Sequence, residues 1–295
     1  MADVRWIMKG TMVVNGFLTG GKYSEPVEMM SAAAERAGIG FSVVHNTELC
    51  IPVGDDDMVR KLDNPDFVLF WDKDVRCARN MELAGIPVFN RSECIRICDD
   101  KSLTHLALVE SDVPSIPTVI LPMTFDNIGY NDSSFISDIE DRFGYPMVVK
   151  DCFGSFGQQV HLVNDREEFV SILDRPRPMI VQEYVECGSS DLRLEVVGGE
   201  VVAAVSRKGK DGDFRANTTN GGTMRPHDPT SEETELAIRA SEAVGADFAG
   251  VDILYRNGEP VVCEVNSNAH IKNLRNCTGI DVSDHILSHI RGRLS

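Results

Sequence analysis

The sequence predicts an α/β protein that opens on a parallel sheet and continues into two further α/β lobes. Three observations carry this. Short apolar runs alternate with helix-periodic segments from the first residues onward, the order that builds parallel sheets. The run Phe67-Val68-Leu69-Phe70-Trp71 is continuously apolar, as a strand buried on both faces must be. The chain has 295 residues, enough for two or three small lobes about a shared cleft.

Taken in order, residues 4–8 read as the first strand, and 25–37 as a helix stopped by Gly38. Residues 41–44 return to strand, 67–71 is the buried strand, 77–84 is a helix stopped by Gly85, and 86–89 is strand again. This part has no Gly-rich dinucleotide fingerprint, so it predicts no nicotinamide site. The character then changes. A short helix spans 100–109, and the segment around Pro114 and Pro117 leads into a strand at 118–121. A helix at 133–143 precedes the strand 145–150, a strand pair around 154–163, a helix at 165–173 and a strand at 179–184. A hairpin spans 192–205, a Gly-rich polar loop 208–222 and a helix 232–244. A last hairpin joins 249–255 to 260–266 through Arg256-Asn257-Gly258-Glu259, where Asn-Gly supplies the positive φ values of a tight turn.

A net charge of −17 argues against a nucleic-acid partner, whose phosphates need a basic surface, and against an anionic membrane. No apolar run approaches the roughly 20 residues that span a bilayer. The N-terminal residues lack a basic-then-apolar export signal, so a cytoplasmic protein is expected. The eight cysteines are irregularly spaced and read as small buried hydrophobes. Cys94 and Cys98 lie one helical turn apart, but no second pair has zinc-ligand spacing. His285 and His289 share a helix face with no third ligand in view.

The chemistry concentrates in four places. Asp252 lies on one strand of the last hairpin, and Glu264 and Asn266, two apart, share a face of the other. Three oxygen donors on adjacent apolar strands suit a hard cation such as Mg²⁺; a surface carboxylate is the plainer alternative. Lys150 ends an apolar strand and is followed by a small-residue turn through Gly154 and Gly157, an arrangement able to grip a polyphosphate. A lysine that merely snorkels before a turn reads the same way. Glu183 interrupts the apolar strand Ile180-Val181-Gln182-Glu183-Tyr184-Val185, which reads either as a strand reaching the surface or as a nucleotide hinge, with Asp191 and Arg193 shortly after. Residues 207–217 gather cations in an acidic chain, as a solvated loop or as one that closes over a transferring phosphate.

Together these segments resemble the ATP-grasp superfamily and, within it, the RimK-like carboxylate–amine ligases (alpha-L-glutamate ligase-like). The resemblance runs from about Asp99 to Asp284. It is dense at Asp100-Lys101, Val148-Val149-Lys150, Val181-Gln182-Glu183-Tyr184, Asp191-Leu192-Arg193, Gly212-Asp213-Phe214-Arg215-Ala216-Asn217, Gly250-Val251-Asp252 and Glu264-Val265-Asn266. It implies an ATP-grasp fold: an N-terminal open parallel-sheet domain (residues 1–98), a central lobe (99–180) and a C-terminal lobe with the metal site (181–295). ATP would lie between the last two.

Position by position, the resemblance implies that Lys101 and Lys150 contact ATP phosphates. Gln182, Glu183 and Tyr184 would lie at the adenine, and Asp191 at the ribose. Arg207, Arg215 and Asn217 would face the γ-phosphate and an acyl-phosphate, with both arginines catalytic. Asp252, Glu264 and Asn266 would hold two Mg²⁺ ions, replaceable by Mn²⁺, with Glu264 bridging. The substrates implied are a small-molecule or short-peptide carboxylate and an amine; a homo-oligomer is left open. Two alternatives stand beside this: a ligase that modifies a precursor peptide, and an ATP-binding regulatory protein without chemistry.

One segment departs from the family. Where the better-known glutamate ligases have a Ser-Pro-Gly turn, this chain has Ser267-Asn268-Ala269-His270-Ile271-Lys272-Asn273-Leu274-Arg275. It reads as a bulky cationic loop, which puts glutamate as the added amine in question. His270, Lys272 or Arg275 could bind a substrate carboxylate there, together with Arg193 and Arg207, or could simply pair with nearby acids. Lys22, Tyr23 and Asp72 are candidates for the acceptor side.

Overall fold

The computed structural model of the protein describes residues 8–154, 157, 159–210, 214 and 222–295. Four parallel strands make the first sheet: β1 (Met8–Val14), β2 (Ile39–His45), β3 (Phe67–Phe70) and β4 (Val88–Phe89), in the order β2-β1-β3-β4. Period-two alternation sends Met12, Phe67 and Leu69 to one face, under α1 (Gly21–Ala37). It sends Val13, Val68 and Phe70 to the other, under α2 (Asp57–Lys61) and α3 (Val75–Leu83). Helix α1 ends at Gly38 in the left-handed conformation, with its N–H on Ala34 and Glu35 carbonyls. The described first strand spans Met8–Val14, with Met12 and Val13 in the core, and meets the expected 4–8 at Met8; residues 4–7 of that expectation lie outside the described residues.

Two consecutive helices, α4 (Ser92–Asp99) and α5 (Lys101–Glu110), lead out of this sheet. Asp100 caps α5 by accepting from the Ser102 and Leu103 N–H groups. The second sheet contains β5 (Thr118–Ile120), β6 (Met147–Asp151), β7 (Val160–Val163) and β8 (Met179–Glu183), antiparallel and ordered β5-β8-β6-β7. Helices α6 (Phe135–Phe143) and α7 (Arg166–Ile172) cover its Met147, Val149 and Val181 face. Of the strand pair expected around 154–163, a single described strand, β7, forms, and its partner is β6.

The third sheet is a five-stranded antiparallel one, β9 (Ser190–Val197), β10 (Glu200–Lys208), β11 (Thr223–Pro226), β12 (Phe248–Arg256) and β13 (Glu259–Asn266), ordered β11-β10-β9-β12-β13. Helix α8 (Ser231–Ala243) packs Leu236, Ala237 and Ala240 on its apolar face, against Leu194, Val196, Val251 and Val265. The β12–β13 turn has positive φ at Asn257 and Gly258, as the Asn-Gly pair requires. The stretch after β13 is not the expected loop: α9 (Ile271–Thr278) starts one residue after His270, because Ile271 and Leu274 recur at helical spacing and bury in the core that contains Met12 and Met29. Helix α10 (Val282–Leu294) joins the same core through Ile286, Leu287 and Ile290. No helix of the described residues is long and apolar enough to cross a membrane.

One side chain ties the first sheet to the third. Asn90 is fully buried. Its Nδ2 donates to the Phe248 and Ser267 carbonyls at 2.8 and 3.1 Å, and its Oδ1 accepts from Asp247 and Phe248 N–H at 2.7 and 3.2 Å. Trp71 stacks on Phe248 beside it, with ring centroids 5.7 Å apart. Asn90→Ala leaves those backbone groups buried and unpaired, so it should cost roughly 2–4 kcal/mol. Arg36→Ala, which removes a half-exposed pair with Asp281 and Asp284, should cost under ~1 kcal/mol. Urea unfolding of both variants checks the ranking.

Candidate functional site

Strand β9 reads Asp191-Leu192-Arg193-Leu194-Glu195-Val196, so its leucines face α8 while Asp191, Arg193 and Glu195 line the opposite face. Cross-strand register completes that face. Arg207 on β10 sits opposite Asp191, Asp252 on β12 sits opposite Arg193, and Glu264 on β13 sits opposite Asp252. The last pairing depends on a bulge at Cys263, where the register shifts between Asp252 and Ile253. The bulge lets both Cys263 and Glu264 reach the cleft, which simple alternation forbids. Gly250 has a packing reason too: a Cβ there would come within 2.9 Å of the Ala269 Cβ, Arg193 Nη1 and Glu195 Oε1.

The charged face borders a cleft of about 1030 Å³ shared by all three sheets. Asp252 is buried and meets two guanidinium groups, both from the β9–β10 side of its strand. Arg193 makes a two-pronged pair with it, through Nε and, at 2.9 Å, Nη2, and Arg207 Nη2 adds a contact of 2.9 Å. Burial opposes its charge, yet the two arginines prevail and hold the carboxyl below its ordinary pKa. Arg207 also forks onto Asp191, at 2.7 and 2.5 Å. Burial pushes Asp191 up to about 6 despite that partner, since Arg207 is shared and Asp252 repels it. Glu195 is also raised by burial, and its Oε1 lies 3.6 Å from Arg193, beyond hydrogen-bond reach. Across the cleft, Lys101 Nζ is 3.5 Å from Glu264 and Lys150 Nζ is 3.7 Å from Cys263 Sγ. The charges of Lys101, Lys150, Arg193 and Arg207 are thus offset by Asp191, Glu195, Asp252 and Glu264.

The structure gathers Lys101, Lys150, Gln182, Glu183, Tyr184, Asp191, Arg193, Arg207, Asp252, Glu264, Asn266 and His270 around this one cleft. Several are engaged in ways the sequence did not indicate. Glu183 pairs with Arg256 at 2.8 Å, and its N–H bonds the Pro117 carbonyl. Tyr184 donates to Glu186. His270 lies 3.6 Å from Glu25, and burial lowers its pKa, an effect Glu25 opposes. Lys272 is not among the cleft-lining residues, since the chain turns into α9 at Ile271; Arg275 pairs with Asp281 at 3.4 Å. Arg215 and Asn217 lie outside the described residues.

The donors at β12 and β13 suit a hard cation. Glu264 is one-third exposed, and the Asn266 amide carries a buried Nδ2 with no partner among the described residues. Amide O and N are interchangeable by a flip, which would present its oxygen instead. No group of three or more His, Cys, Asp or Glu side chains among the described residues could hold a metal, so a site on Asp252 and Glu264 would be completed by the Asn266 amide, water or oxygens of a ligand.

Two contributors escaped sequence reasoning. Glu195 was legible in the β9 alternation. His105 lies one helical turn after Lys101 on α5, and its Nε2 is 2.7 Å from Gln182. Burial, reinforced by Lys150 and Lys101, lowers its pKa to about 3. A neutral His105 therefore stabilises the fold fully above the ordinary value near 6.5, and that contribution is lost as pH falls toward 3. Between pH 7 and 4.5 the wild type should lose roughly 2–3 kcal/mol more than His105→Gln, measured by urea unfolding at both pH values.

The family model for the RimK-like ATP-grasp domain matches residues 98–290. A probable alpha-L-glutamate ligase of Enterobacter sp. (strain 638) is 37% identical over 217 residues, covering 72% of this chain and 70% of that protein. The ribosomal protein bS6–L-glutamate ligase of Escherichia coli O81 (strain ED1a) is 35% identical over 217 residues, with the same coverage. Among solved structures, a RimK domain ATP-grasp protein from Sphaerobacter thermophilus superposes with a TM-score of 0.71 at 20% identity, over 95% of this chain and 98% of that one, a likeness of fold. With its cleft bounded by a lysine-bearing sheet on one side and a carboxylate-bearing sheet on the other, the chain belongs to the RimK-like family of ATP-grasp carboxylate–amine ligases.

Proposed function

We propose that this chain joins a small-molecule or short-peptide carboxylate to an amine at the expense of ATP. The observation that carries the reading is the juxtaposition in one cleft of an apolar slot and a charge-balanced polar face. Ile116, Val148, Val185 and Leu254 line the slot, which suits a purine. The polar face beside it has no net positive charge of its own, so a triphosphate needs accompanying cations. Asp252, Glu264 and Asn266 would hold Mg²⁺, in two ions replaceable by Mn²⁺. When bound, these would neutralise phosphate charge.

The chain's own residues then have distinct tasks. Lys101 and Lys150 reach from the second sheet's side toward the phosphates, and Asp191 lies at the height of the ribose. Phosphate oxygens arriving at Arg193 and Arg207 would compete with Asp252 for their guanidinium groups and free its oxygens. Arg215 and Asn217 would serve the γ-phosphate. A substrate carboxylate oxygen bonds to the γ-phosphorus as the bond to ADP breaks. The amine nitrogen then bonds to the acyl carbon, phosphate leaves, and the amine gives up a proton. His270 and Asn268, with Tyr23 and Asp72 of the first sheet's region, line the other end of the cleft, where the acceptor would lie.

ADP release should appear when pooled amino acids and dipeptides are supplied, with an amide product seen by mass spectrometry. Glu264→Gln keeps the shape but removes the charge, and should lower that release roughly 10²–10³-fold, on the scale of a lost transition-state contact. No stimulation by any pool, or unaltered turnover in Glu264→Gln, contradicts the proposal.

A further inference from the structure

Along the cleft face of β9, Asp191 and Arg193 each meet an opposite charge on a neighbouring strand, and Glu195 does not. Asp191 faces Arg207 on β10, and Arg193 faces Asp252 on β12. Glu195 faces Ala203 on β10 and Gly250 on β12, which carry no charge. It is nonetheless 3% exposed, and its Oε1 has no hydrogen-bond partner among the described residues. Arg193, 3.6 Å away, directs its Nε and Nη2 to Asp252 instead. The missing Cβ of Gly250 leaves the Glu195 Oε1 beside Ala269, where the chain passes from Asn268 to His270. Asn268 presents a second acceptor at this end of the cleft. Its Nδ2 donates to the Asp72 carbonyl at 2.9 Å. A carbonyl can only accept, so the nitrogen is the atom on that side and Oδ1 is turned away from it. That oxygen too is buried without a partner among the described residues.

The other charged groups at this end are mostly acids. Glu25 and Asp72 line it together with Glu195. Asp72 is buried and accepts from the Asn15 and Asn46 amides at 3.1 and 3.3 Å. Of the basic groups, Lys73 pairs with Asp99 and burial lowers the pKa of His270, which leaves Lys22 against three carboxyl groups. Burial raises the pKa of Asp72 and of Glu195, the direction expected where desolvation outweighs the available donors. A buried acceptor without a donor is costly, and a ligand that brings N–H groups relieves it. An ammonium brings three donors and a positive charge. An acidic amino acid would instead bring further carboxylates to an end of the cleft that already has an excess of them. Building on the ligase reading above, we infer that Glu195, backed by the Asn268 carbonyl, selects an acceptor with two amino groups, one to attack the acyl carbon and a second held as an ammonium at Glu195. Diamines and amino acids with a basic side chain have this form, and glutamate does not. Glu195 stands one row of the sheet past the Arg193–Asp252 pair as seen from Asp191, so the held group lies beyond the reacting phosphate.

The test is calorimetric titration of the full chain, first by ADP with Mg²⁺ and then, with both bound, by lysine, norleucine and glutamate. Norleucine is lysine with its side-chain ammonium replaced by hydrogen. Wild type should bind lysine at least ~10-fold more tightly than either of the others. Glu195→Gln keeps the shape and removes the charge. It should narrow the lysine-to-norleucine ratio to within about threefold, chiefly by weakening lysine. Asn268→Ala should narrow the ratio in the same direction, and it carries the test if Glu195→Gln does not fold. A merely structural role for Glu195 would weaken both amino acids alike and leave the ratio unmoved. Wild type that binds ADP but shows no preference for lysine, or takes up none of the three, overturns the inference while leaving the ligase reading intact. An unchanged ratio in the folded variants does the same. Failure of wild type to bind ADP overturns both.

Discussion

Asp252 sits inside the third sheet and pairs with both Arg193 and Arg207, which reach it from β9 and β10, and the arrangement of the cleft follows from that pairing. A carboxylate buried without compensation would be driven to take up a proton. Here two guanidinium groups outweigh the desolvation and keep it ionised. Each arginine is shared, Arg193 with Glu195 and Arg207 with Asp191. The result is a rigid lattice of charge across β9, β10 and β12, with Glu264 on β13 at its border. Buried ion pairs of this kind contribute little net stability compared with apolar packing, and breaking one side is costly. Their value lies in setting where charge and donors stand along the cleft wall.

That lattice is useful only if the sheets around it stay in place. The Asn90 amide and the Trp71–Phe248 stack hold the first sheet against the third. Helices α9 and α10 share a core with α1, which gives the first sheet an apolar attachment as well. The carboxyl ends of the parallel strands then face the cleft, the end of an open parallel sheet where ligands bind. The second sheet contributes its Val148, Lys150 and Gln182 face from the opposite side. Each sheet thus buries one face under helices and lends another face or edge to the cleft.

Much of the architecture is legible in the sequence because its signals are local. Apolar alternation marks β9 and β12, the unbroken run at 67–70 marks a doubly covered strand, Gly38 marks a helix end, and Asn257-Gly258 marks a hairpin. Short elements with weak patterns, such as α4, β11 and α9, are not legible in the same way. The start of α9 decided one substrate candidate, since a helix at Ile271 takes Lys272 away from the cleft. The charged residues of the site could be found from their types and order, but their partners could not. That Arg207 spans Asp191 and Asp252, or that Glu183 meets Arg256, depends on strand register. The Cys263 bulge that aligns Glu264 with Asp252 has no local sequence mark. Partner choice is a property of tertiary geometry, and it changes the chemistry: arginines that could clamp a phosphate are first of all counter-ions to a carboxylate.

On the proposed function, Asp252 exchanges its arginine partners for a cation when phosphate arrives. Metal and nucleotide affinities must then be coupled, each raising the other by the same factor. Mn²⁺ titration followed by electron paramagnetic resonance, with and without ADP, measures this directly. ADP should tighten Mn²⁺ binding by at least about tenfold beyond its affinity for ADP in solution, and Asp252→Asn should largely remove the effect. Mn²⁺ binding of equal strength with and without ADP would contradict it.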